Sequence, residues 1–302
     1  MRADPPRCSA RSLALAEPMH GTASTVANWI LLEQPGPWGH TALLDSRIPA
    51  EQARALWRRY RDLRIRVVLI RRPSGPRQPR QHHCYLAHTG PDRPWMESLM
   101  LTSPGDLLDL GLEPMADGHA PDIGRINDGP LFLACTNGRR DPCCAERGRP
   151  LAAALTRAFS RTVWECSHIG GDRFAGNLVC FPHGIYFGRV GREEAEAVGR
   201  GYVEGRLSLD HYRGRSCYPF DVQAAERFVR RRFDLVGIDA ISLVDRQKEA
   251  DGRVRITFLA SGRSVAIVVR ARPAPEPRHL TCHATRLSRP PMYEVLEAPW
   301  AP

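Results

Sequence analysis

The sequence predicts a protein of the α/β class that is divided into a tail and three folded parts. Short apolar strand patterns alternate with amphipathic helix patterns through most of the first 218 residues, which is typical of α/β domains. After that point one helix is followed by several strand patterns, which indicates a small α+β module. The length of 302 residues is enough for two or three domains with cores of their own.

The first two parts are a tail over residues 1–24 and a small α/β domain over residues 25–128. The tail mixes Pro, Ser, Arg and Ala without a period, which predicts flexibility and leaves Cys8 as a free thiol. In the α/β domain a helix is expected after Pro49, because apolar residues recur there at helical spacing. The apolar stripe is Ala53, Leu56, Trp57, Tyr60 and Leu63, and the strands read WILLE (29–33), RVVLI (66–70), HCYLAH (83–88) and WMESLML (95–101).

The third part, residues 129–218, is a domain with the element order βαβββα. Helices are expected after Pro150, because proline suits the first turn of a helix, and after Glu193 and Glu194. The strands read LFLAC (131–135), VWECSH (163–168), NLVCF (177–181) and IYFGRV (185–190). This order, with one hairpin between the last two strands, predicts a thioredoxin-like sheet. It is left open whether the preceding α/β domain is a second copy of that fold.

The last part, residues 219–302, is predicted to be the α+β module. Its helix reads QAAERFVRRRF and carries an apolar face. The strand patterns are ISLVD (241–245), RVRITFLA (253–260), SVAIVVRA (264–271), HLTCHATR (279–286) and MYEVLE (292–297). Cys282 and His283 would point to opposite faces of a strand, so both are interpreted as structural.

The composition excludes several classes of protein. Hydrophobic residues make up 42% of the chain and charged residues 25%, which are values of a folded globular protein. No apolar run approaches the length that spans a membrane, and the apolar run near the N-terminus is too short for a signal peptide. We therefore expect a cytoplasmic protein whose nine cysteines stay reduced and serve metal binding or redox chemistry.

The net charge of +10 comes almost entirely from arginine. The arginines are scattered along the chain and few aromatic residues lie among them, so the pattern does not favour nucleic-acid binding. The positive field instead favours association with an acidic protein partner.

The candidate metal ligands are concentrated between residues 131 and 177. A predicted strand ends at Cys135, and Cys144 follows nine positions later, so two thiolates can reach one iron. His168 ends the next strand, and Asp172 lies four positions on, across a Gly-Gly pair that lets the backbone bend closely around a cofactor. A [2Fe–2S] cluster needs four protein ligands, two on each iron, and histidine can replace cysteine on one iron.

The segments CTNGRRDPCC (135–144) and WECSHIGGDRFAGNLVCFPHGIYFGRV (164–190) resemble the sucrase/ferredoxin-like family. The resemblance extends from Trp29 to about Tyr218 and is densest in these two segments. Family members contain a thioredoxin-like ferredoxin domain, whose [2Fe–2S] cluster is held by two cysteines and by two histidines of an H-x-G-G-H motif. The resemblance implies the same domain and cofactor here. It does not extend to sugar chemistry, since no carboxylate pair is placed for glycoside hydrolysis.

Carried over to this chain, the family's ligands match Cys135, Cys144 and His168, whereas Asp172 takes the place of the second histidine. This difference leaves three possibilities. In the first, Asp172 is the fourth ligand, and as a harder, anionic group it lowers the potential and makes the cluster more labile. In the second, another residue provides the fourth ligand. In the third, no cluster binds and the fold persists with a relic site.

The alternative ligands are cysteines. Cys166 lies two positions before His168, so both side chains project to the same side of their strand. Cys143 and Cys180 are weaker alternatives, because Cys143 adjoins Cys144 and Cys180 lies within a strand, where a buried core position is more common.

These expectations favour a [2Fe–2S] electron-transfer or redox protein over a stand-alone enzyme. Because the sequence has no GxGxxG motif for a dinucleotide, electrons would come from an acidic partner such as a reductase or another ferredoxin. One alternative is a thioredoxin-like thiol oxidoreductase without a cluster, although no CxxC motif opens a helix. Another is a zinc-stabilised structural or interaction module that uses Cys135, Cys144, Cys166 and His168.

Overall fold

The computed structural model describes residues 7–74 and 79–299 and has a mixed α/β architecture. Within these ranges the strands form one ten-stranded and one four-stranded sheet. The predicted α/β class, with a second and smaller sheet towards the C-terminus, is confirmed. Residues 1–6 of the predicted tail and residues 75–78 lie outside the described ranges. None of the described helices is long and apolar enough to cross a lipid bilayer.

The first half of the large sheet follows a short N-terminal helix. The elements are α1 (Cys8–Ala14), β1 (Asn28–Glu33), α2 (Ala50–Asp62), β2 (Ile65–Arg71), β3 (His82–His88), β4 (Trp95–Leu101) and β5 (Arg125–Ile126). Strand β1 is buried along its whole length, as expected for a strand that is covered on both faces. On α2, Trp57 belongs to the predicted apolar stripe but is 41% exposed, and the guanidinium of Arg61 stacks over its ring at 4.6 Å.

The second half of the large sheet and the C-terminal module complete the chain. The second half comprises β6 (Leu131–Cys135), α3 (Pro142–Phe159), β7 (Val163–Cys166), β8 (Leu178–Phe181), β9 (Ile185–Phe187), α4 (Ala195–Val203) and β10 (Tyr212–Arg215). The module comprises α5 (Phe220–Phe233), β11 (Ile241–Lys248), β12 (Arg253–Ala260), β13 (Arg263–Pro273) and β14 (Pro291–Glu297). The predicted boundaries at residues 24, 128 and 218 stay predictions about independent folding units.

The two halves of the large sheet have the same connections. In the first half, β1 pairs in parallel with β2 and antiparallel with β3, and β3 pairs antiparallel with β4. In the second half, β6 pairs in parallel with β7 and antiparallel with β8, and β8 pairs antiparallel with β9. In each half the long helix makes the crossover between the two parallel strands, as the chain geometry of parallel pairs requires. The first half therefore has the same β-α-β-β-β connection as the second half.

The halves meet where β2 pairs antiparallel with β7. The ladder consists of the pairs Ile70–Cys166 and Arg71–Glu165. Directly beyond it, the amide of Ser167 donates to the carbonyl of Leu69 at 2.8 Å, and the amide of Leu69 donates to the hydroxyl of Ser167 at 3.0 Å. This seam fixes the backbone immediately before His168.

Helix α3 begins at Pro142, whereas the sequence analysis placed its start at Pro150. The side chain of Asp141 caps the helix by accepting a hydrogen bond of 2.9 Å from the amide of Cys143. An aspartate followed by proline is a strong helix start, because the cap satisfies one amide and proline has none to satisfy. The correction places Cys143 and Cys144 in the first turn of a helix rather than in a loop.

The N-terminal segment differs from the predicted flexible tail over residues 7–24. Cys8 lies on helix α1 and is only 2% exposed, so it is not the unengaged thiol that was expected. Glu17 forms a buried ion pair with Arg173 at 2.8 Å, and Arg189 donates hydrogen bonds to backbone carbonyls of the segment. These partners are more than 150 residues away in sequence, so no local pattern could indicate them.

The C-terminal module packs α5 against the four-stranded antiparallel sheet β11-β12-β13-β14. Val222, Ala225 and Val229 form the buried face of α5. The predicted strand over HLTCHATR is wrong: residues 279–286 form turns in the connection between β13 and β14, and Cys282 lies there. This connection lies against the start of α3, where the amide of Cys282 donates a hydrogen bond to the side chain of Asp141.

Candidate metal centre

Three of the predicted ligands come together at one end of the large sheet. Cys135 is the last residue of β6, Cys144 lies in the first turn of α3, and His168 follows β7. Strands β6 and β7 are parallel neighbours, so their ends deliver both side chains to the same edge, where α3 begins. The two sulfur atoms and a ring nitrogen of His168 all lie within 4.8 Å of one another.

Asp172 lies against this group. Its carboxylate oxygen Oδ1 accepts a hydrogen bond of 3.1 Å from the thiol of Cys144 and lies 2.9 Å from Nδ1 of His168. The side chain of Asp172 is 3% exposed and that of His168 is 23% exposed. The structure therefore brings all four predicted residues together: Cys135, Cys144, His168 and Asp172.

Two glycines allow the close packing at this site. A Cβ atom on Gly148 of α3 would lie 1.9 Å from the carbonyl oxygen of Cys135, so only glycine lets the helix approach the end of β6 this closely. Gly171 precedes Asp172 with a φ of +80°, and a Cβ atom there would lie 2.3 Å from the guanidinium of Arg213. Gly148 therefore lets the start of α3 lie close to Cys135, and Gly171 lets the turn that carries Asp172 pack against Arg213.

Arg213 is the largest feature of the site that the sequence analysis missed. Its fully buried guanidinium donates to the carbonyl of Gly170 at 3.1 Å and to the side chain of Asn177 at 2.7 Å. Burial lowers the pKa of Arg213 to about 10, and the nearby Asp172 and Cys135 partly oppose that shift. A lone arginine on the distant strand β10 gives no sequence signal, because only the sheet order brings it to this edge.

The protonation of the site follows from its buried charges. Burial disfavours a charged imidazole, but the Asp172 carboxylate and the Cys135 sulfur outweigh that effect and raise the pKa of His168 to about 9. The pKa of Cys135 lies well below that of an ordinary thiol, because Cys144, Cys166 and His168 interact with its sulfur. A bound metal would displace the protons that remain on the thiols and on the imidazolium, because cysteine binds as the thiolate and histidine as the neutral imidazole.

The alternative ligands are placed differently. Cys166 is fully buried opposite Cys135 in the β6–β7 ladder, but it does not belong to the group whose donor atoms all lie within 4.8 Å. Cys180 is part of a hydrophobic core. Cys143 faces away from Cys144 and towards other cysteines, with its sulfur 3.6 Å from that of Cys8. None of the three is brought to the donor atoms of Cys144 and His168.

The donor set suits a metal. Two sulfurs, an imidazole and a carboxylate provide four ligands, and thiolate and imidazole select iron and zinc over hard cations. Nδ1 of His168 lies 2.9 Å from the Asp172 carboxylate, so a metal that binds both side chains would replace this ion pair. Among the described residues, all nine cysteines are free of disulfides.

Comparisons with known proteins place the chain in a family. The profile of the sucrase/ferredoxin-like family matches residues 19–214. Altered inheritance of mitochondria protein 32 of Clavispora lusitaniae is 34% identical over 99 residues, which cover 28% of this chain and 35% of that protein. The protein of the same name from Meyerozyma guilliermondii is 28% identical over 95 residues, which cover 28% of this chain and 34% of that protein.

The matched stretch spans only about a third of the length of these two relatives. No solved structure matches the chain at a significant level. The family profile covers well over half of the 302 residues and includes all four residues of the site. The chain therefore belongs to the sucrase/ferredoxin-like family.

Proposed function

We propose that this protein binds a [2Fe–2S] cluster through Cys135, Cys144, His168 and Asp172 and transfers single electrons. The observation that carries the proposal is the convergence of two sulfurs, one imidazole and one carboxylate at a single edge of the sheet. A bound cluster would supply reversible one-electron chemistry. The repeated β-α-β-β-β connection supports the further proposal that residues 129–218 are a thioredoxin-like ferredoxin domain.

The residues around the cluster would set its potential. Asp172 adds a negative charge where imidazole would add none, and this favours the oxidised, less negative cluster and lowers the potential. The buried guanidinium of Arg213 lies close enough to act on Asp172 and Cys135, and it opposes that effect. The protein would therefore use the buried positive charge of Arg213 to offset part of the negative charge of the donor set.

Electrons would enter and leave at His168. Its ring is the most exposed of the four ligand side chains and borders a surface groove. Arg61, Arg66 and Arg140 line the same groove, and Arg66 also donates to the carbonyl of His168 at 2.9 Å. Such a basic rim supports docking of an acidic reductase or ferredoxin, whose association would weaken with rising salt.

The test of the cluster is chemical analysis of protein purified without oxygen. We expect about two irons and two inorganic sulfides per chain, with absorption in the visible range. Cys135→Ser should lose the iron and the colour. Cys84→Ala and Cys180→Ala are matched controls, because both cysteines are fully buried outside the site, and both variants should keep the cluster. Colourless wild-type protein, or an unchanged spectrum in both Cys135→Ser and Cys144→Ser, would refute the proposal.

A zinc-stabilised module is the second candidate function. The donor atoms of Cys135, Cys144 and His168 lie within 4.8 Å of one another, which also suits a single tetrahedral ion. The same purification separates the two candidates, since a zinc site would give colourless protein whose zinc is lost in Cys135→Ser. A thiol oxidoreductase is less well supported, because the neighbouring Cys143 and Cys144 face two different groups of residues.

We also propose a reducing compartment, and specifically the cytoplasm, as the location. The free state of the nine cysteines, all of which lie in the described ranges, supports such a compartment. Fractionation of cells that express a tagged full chain tests this point, and recovery in an oxidising compartment would contradict it.

A further inference from the structure

A second group of metal-binding side chains lies on the other side of the start of α3. Cys8 comes from helix α1, Asp141 and Cys143 from the start of α3, and Cys282 from the turn between β13 and β14. The Cys8 and Cys143 sulfurs are 3.6 Å apart, those of Cys143 and Cys282 are 3.4 Å apart, and those of Cys282 and Cys8 are 3.5 Å apart.

These distances match one face of a tetrahedron around a single ion. Ligand sulfurs at about 2.3 Å from a tetrahedral Zn²⁺ lie about 3.8 Å from one another. The carboxylate oxygens of Asp141 lie 3.7 and 3.8 Å from the Cys8 sulfur, and all four donor atoms lie within 4.8 Å of one another. A bridged iron cluster divides its four ligands between two irons, so three sulfurs at such equal, short separations fit one ion better.

Hydrogen bonds hold the donors in place. The amide of Cys8 donates to the Cys282 sulfur at 3.4 Å, and the hydroxyl of Ser9 donates to the Cys143 sulfur at 3.2 Å. Asp141 accepts from the amide of Cys143 at 2.9 Å and from the amide of Cys282 at 2.6 Å. Supporting donors of this kind orient metal ligands and stabilise thiolates.

The burial of this group favours a bound cation. Asp141 and Cys143 are fully buried, and Cys8 is nearly so. Within residues 7–74 and 79–299, no arginine, lysine or histidine forms an ion pair with Asp141, although a buried carboxylate is costly without a counter-charge. A divalent metal would supply that charge and accept the three sulfurs at the same time.

We infer that Cys8, Cys143, Cys282 and Asp141 bind one structural Zn²⁺ ion. Four protein donors leave no open position, which is the arrangement of structural rather than catalytic zinc. The ligands come from segments separated by up to 274 residues, so the ion would tie the N-terminal helix and the C-terminal module to the start of α3. It would also hold α1 against the turn over Asp172–Phe174, which α1 contacts.

The test measures zinc and visible absorption in the same samples of full-length protein, grown with added zinc and purified without oxygen. Wild-type protein should contain about one zinc ion per chain. Cys282→Ser should lose the zinc and keep the visible absorption. Cys217→Ser is the matched control, because Cys217 is another half-buried cysteine but belongs to neither group, and it should keep both.

Alkylation of the wild-type protein provides a test that needs no variant. Zinc should protect Cys282, the half-buried thiol of the group, from a thiol reagent, and a chelator should make Cys282 reactive while Cys84 and Cys180 stay unreactive in the core. The inference would be overturned by wild-type protein without zinc, by zinc that survives in Cys282→Ser, or by a disulfide within the group in anaerobic protein. Zinc that is lost in Cys135→Ser but not in Cys282→Ser would assign the ion to the first group and overturn it as well.

Discussion

The two donor groups that flank the start of α3 share a helix but differ in chemistry and access. Cys143 and Cys144 are adjacent in sequence, yet Cys144 contacts Asp172 and Cys143 contacts Cys8 and Cys282. Consecutive residues on a helix project about 100° apart, so a neighbouring pair in the first turn can serve two sites.

The surroundings of the two adjacent cysteines differ in exposure and in ligand type. The group around Cys144 includes a histidine that reaches a basic surface groove, which suits exchange with a partner. The group around Cys143 has three thiols and a carboxylate, no histidine, and ligands drawn from both ends of the chain. Access and ligand type therefore support the proposed electron transfer at the first group and the inferred structural zinc at the second.

The largest effects are expected when the adjacent cysteines are changed one at a time. Cys144→Ser should abolish the visible absorption, because it removes a proposed iron ligand, whereas Cys143→Ser should abolish zinc binding and leave the absorption intact. Metal analysis and a visible spectrum of each variant provide the measurement. If both variants lose the same metal, the pair serves one site and the comparison fails.

A smaller effect is expected from the glycine that brings α3 to β6. Gly148→Ala places a Cβ atom against the carbonyl of Cys135, so we expect a loss of about 2 kcal/mol in the free energy of unfolding and a lower iron content. Denaturant unfolding and iron analysis check this. Gly201→Ala on α4 is the control: its Cβ atom would lie 3.4 Å from the nearest atom, and the variant should be neutral or slightly stabilised. Equal behaviour of the two variants would show that the close approach is unimportant.

The role of Asp172 can be tested by replacing it with the histidine that the family motif has at this position. Asp172→His should keep the cluster and raise its potential by on the order of 100 mV, because a neutral ligand replaces an anionic one. Redox titration followed by visible absorption provides the value. Asp172→Ala should alter both spectrum and potential, and an unchanged Asp172→Ala variant would mean that the aspartate is not a ligand.

The smallest expected effect tests whether the second group protects the first. Chelation of the zinc should leave the cluster bound but increase its rate of bleaching by oxygen several-fold, because α1 packs against the turn that carries Asp172. The time course of visible absorption in air, with and without chelator, measures this. A matched rate would indicate that the two groups act independently.

The local pattern predicted most strands and the donor set of the first group. Apolar runs identified β1, β2, β3 and β6 closely, because strands that are buried on both faces of a sheet read as continuous apolar segments. The resemblance to the family indicated Cys135, Cys144 and His168, and the structure brings these residues together with Asp172.

The remaining features depend on contacts that no local pattern carries. The start of α3 was misplaced because Pro150 and Pro142 give competing helix-start signals, and the cap formed by Asp141 decides between them. Cys8 and Cys282 were interpreted as unengaged or structural, since they lie 274 residues apart and meet only when both ends of the chain fold onto α3. The pairing of β2 with β7 could not be predicted either, because it depends on which strand edges are still unpaired after each half has formed.

That seam has a mechanical consequence for electron exchange. Leu69 and Arg66 of the half that lacks the donor residues hold the backbone at Ser167 and His168 with hydrogen bonds of 2.8 to 3.0 Å. The half without the four donor residues thus holds His168, the most exposed member of the proposed ligand set, in place. A side chain that is held in this way would shift little when the charge of a bound metal changes. The reorganisation energy of each electron transfer would therefore be small. The first half of the sheet would then speed electron transfer without binding the cluster.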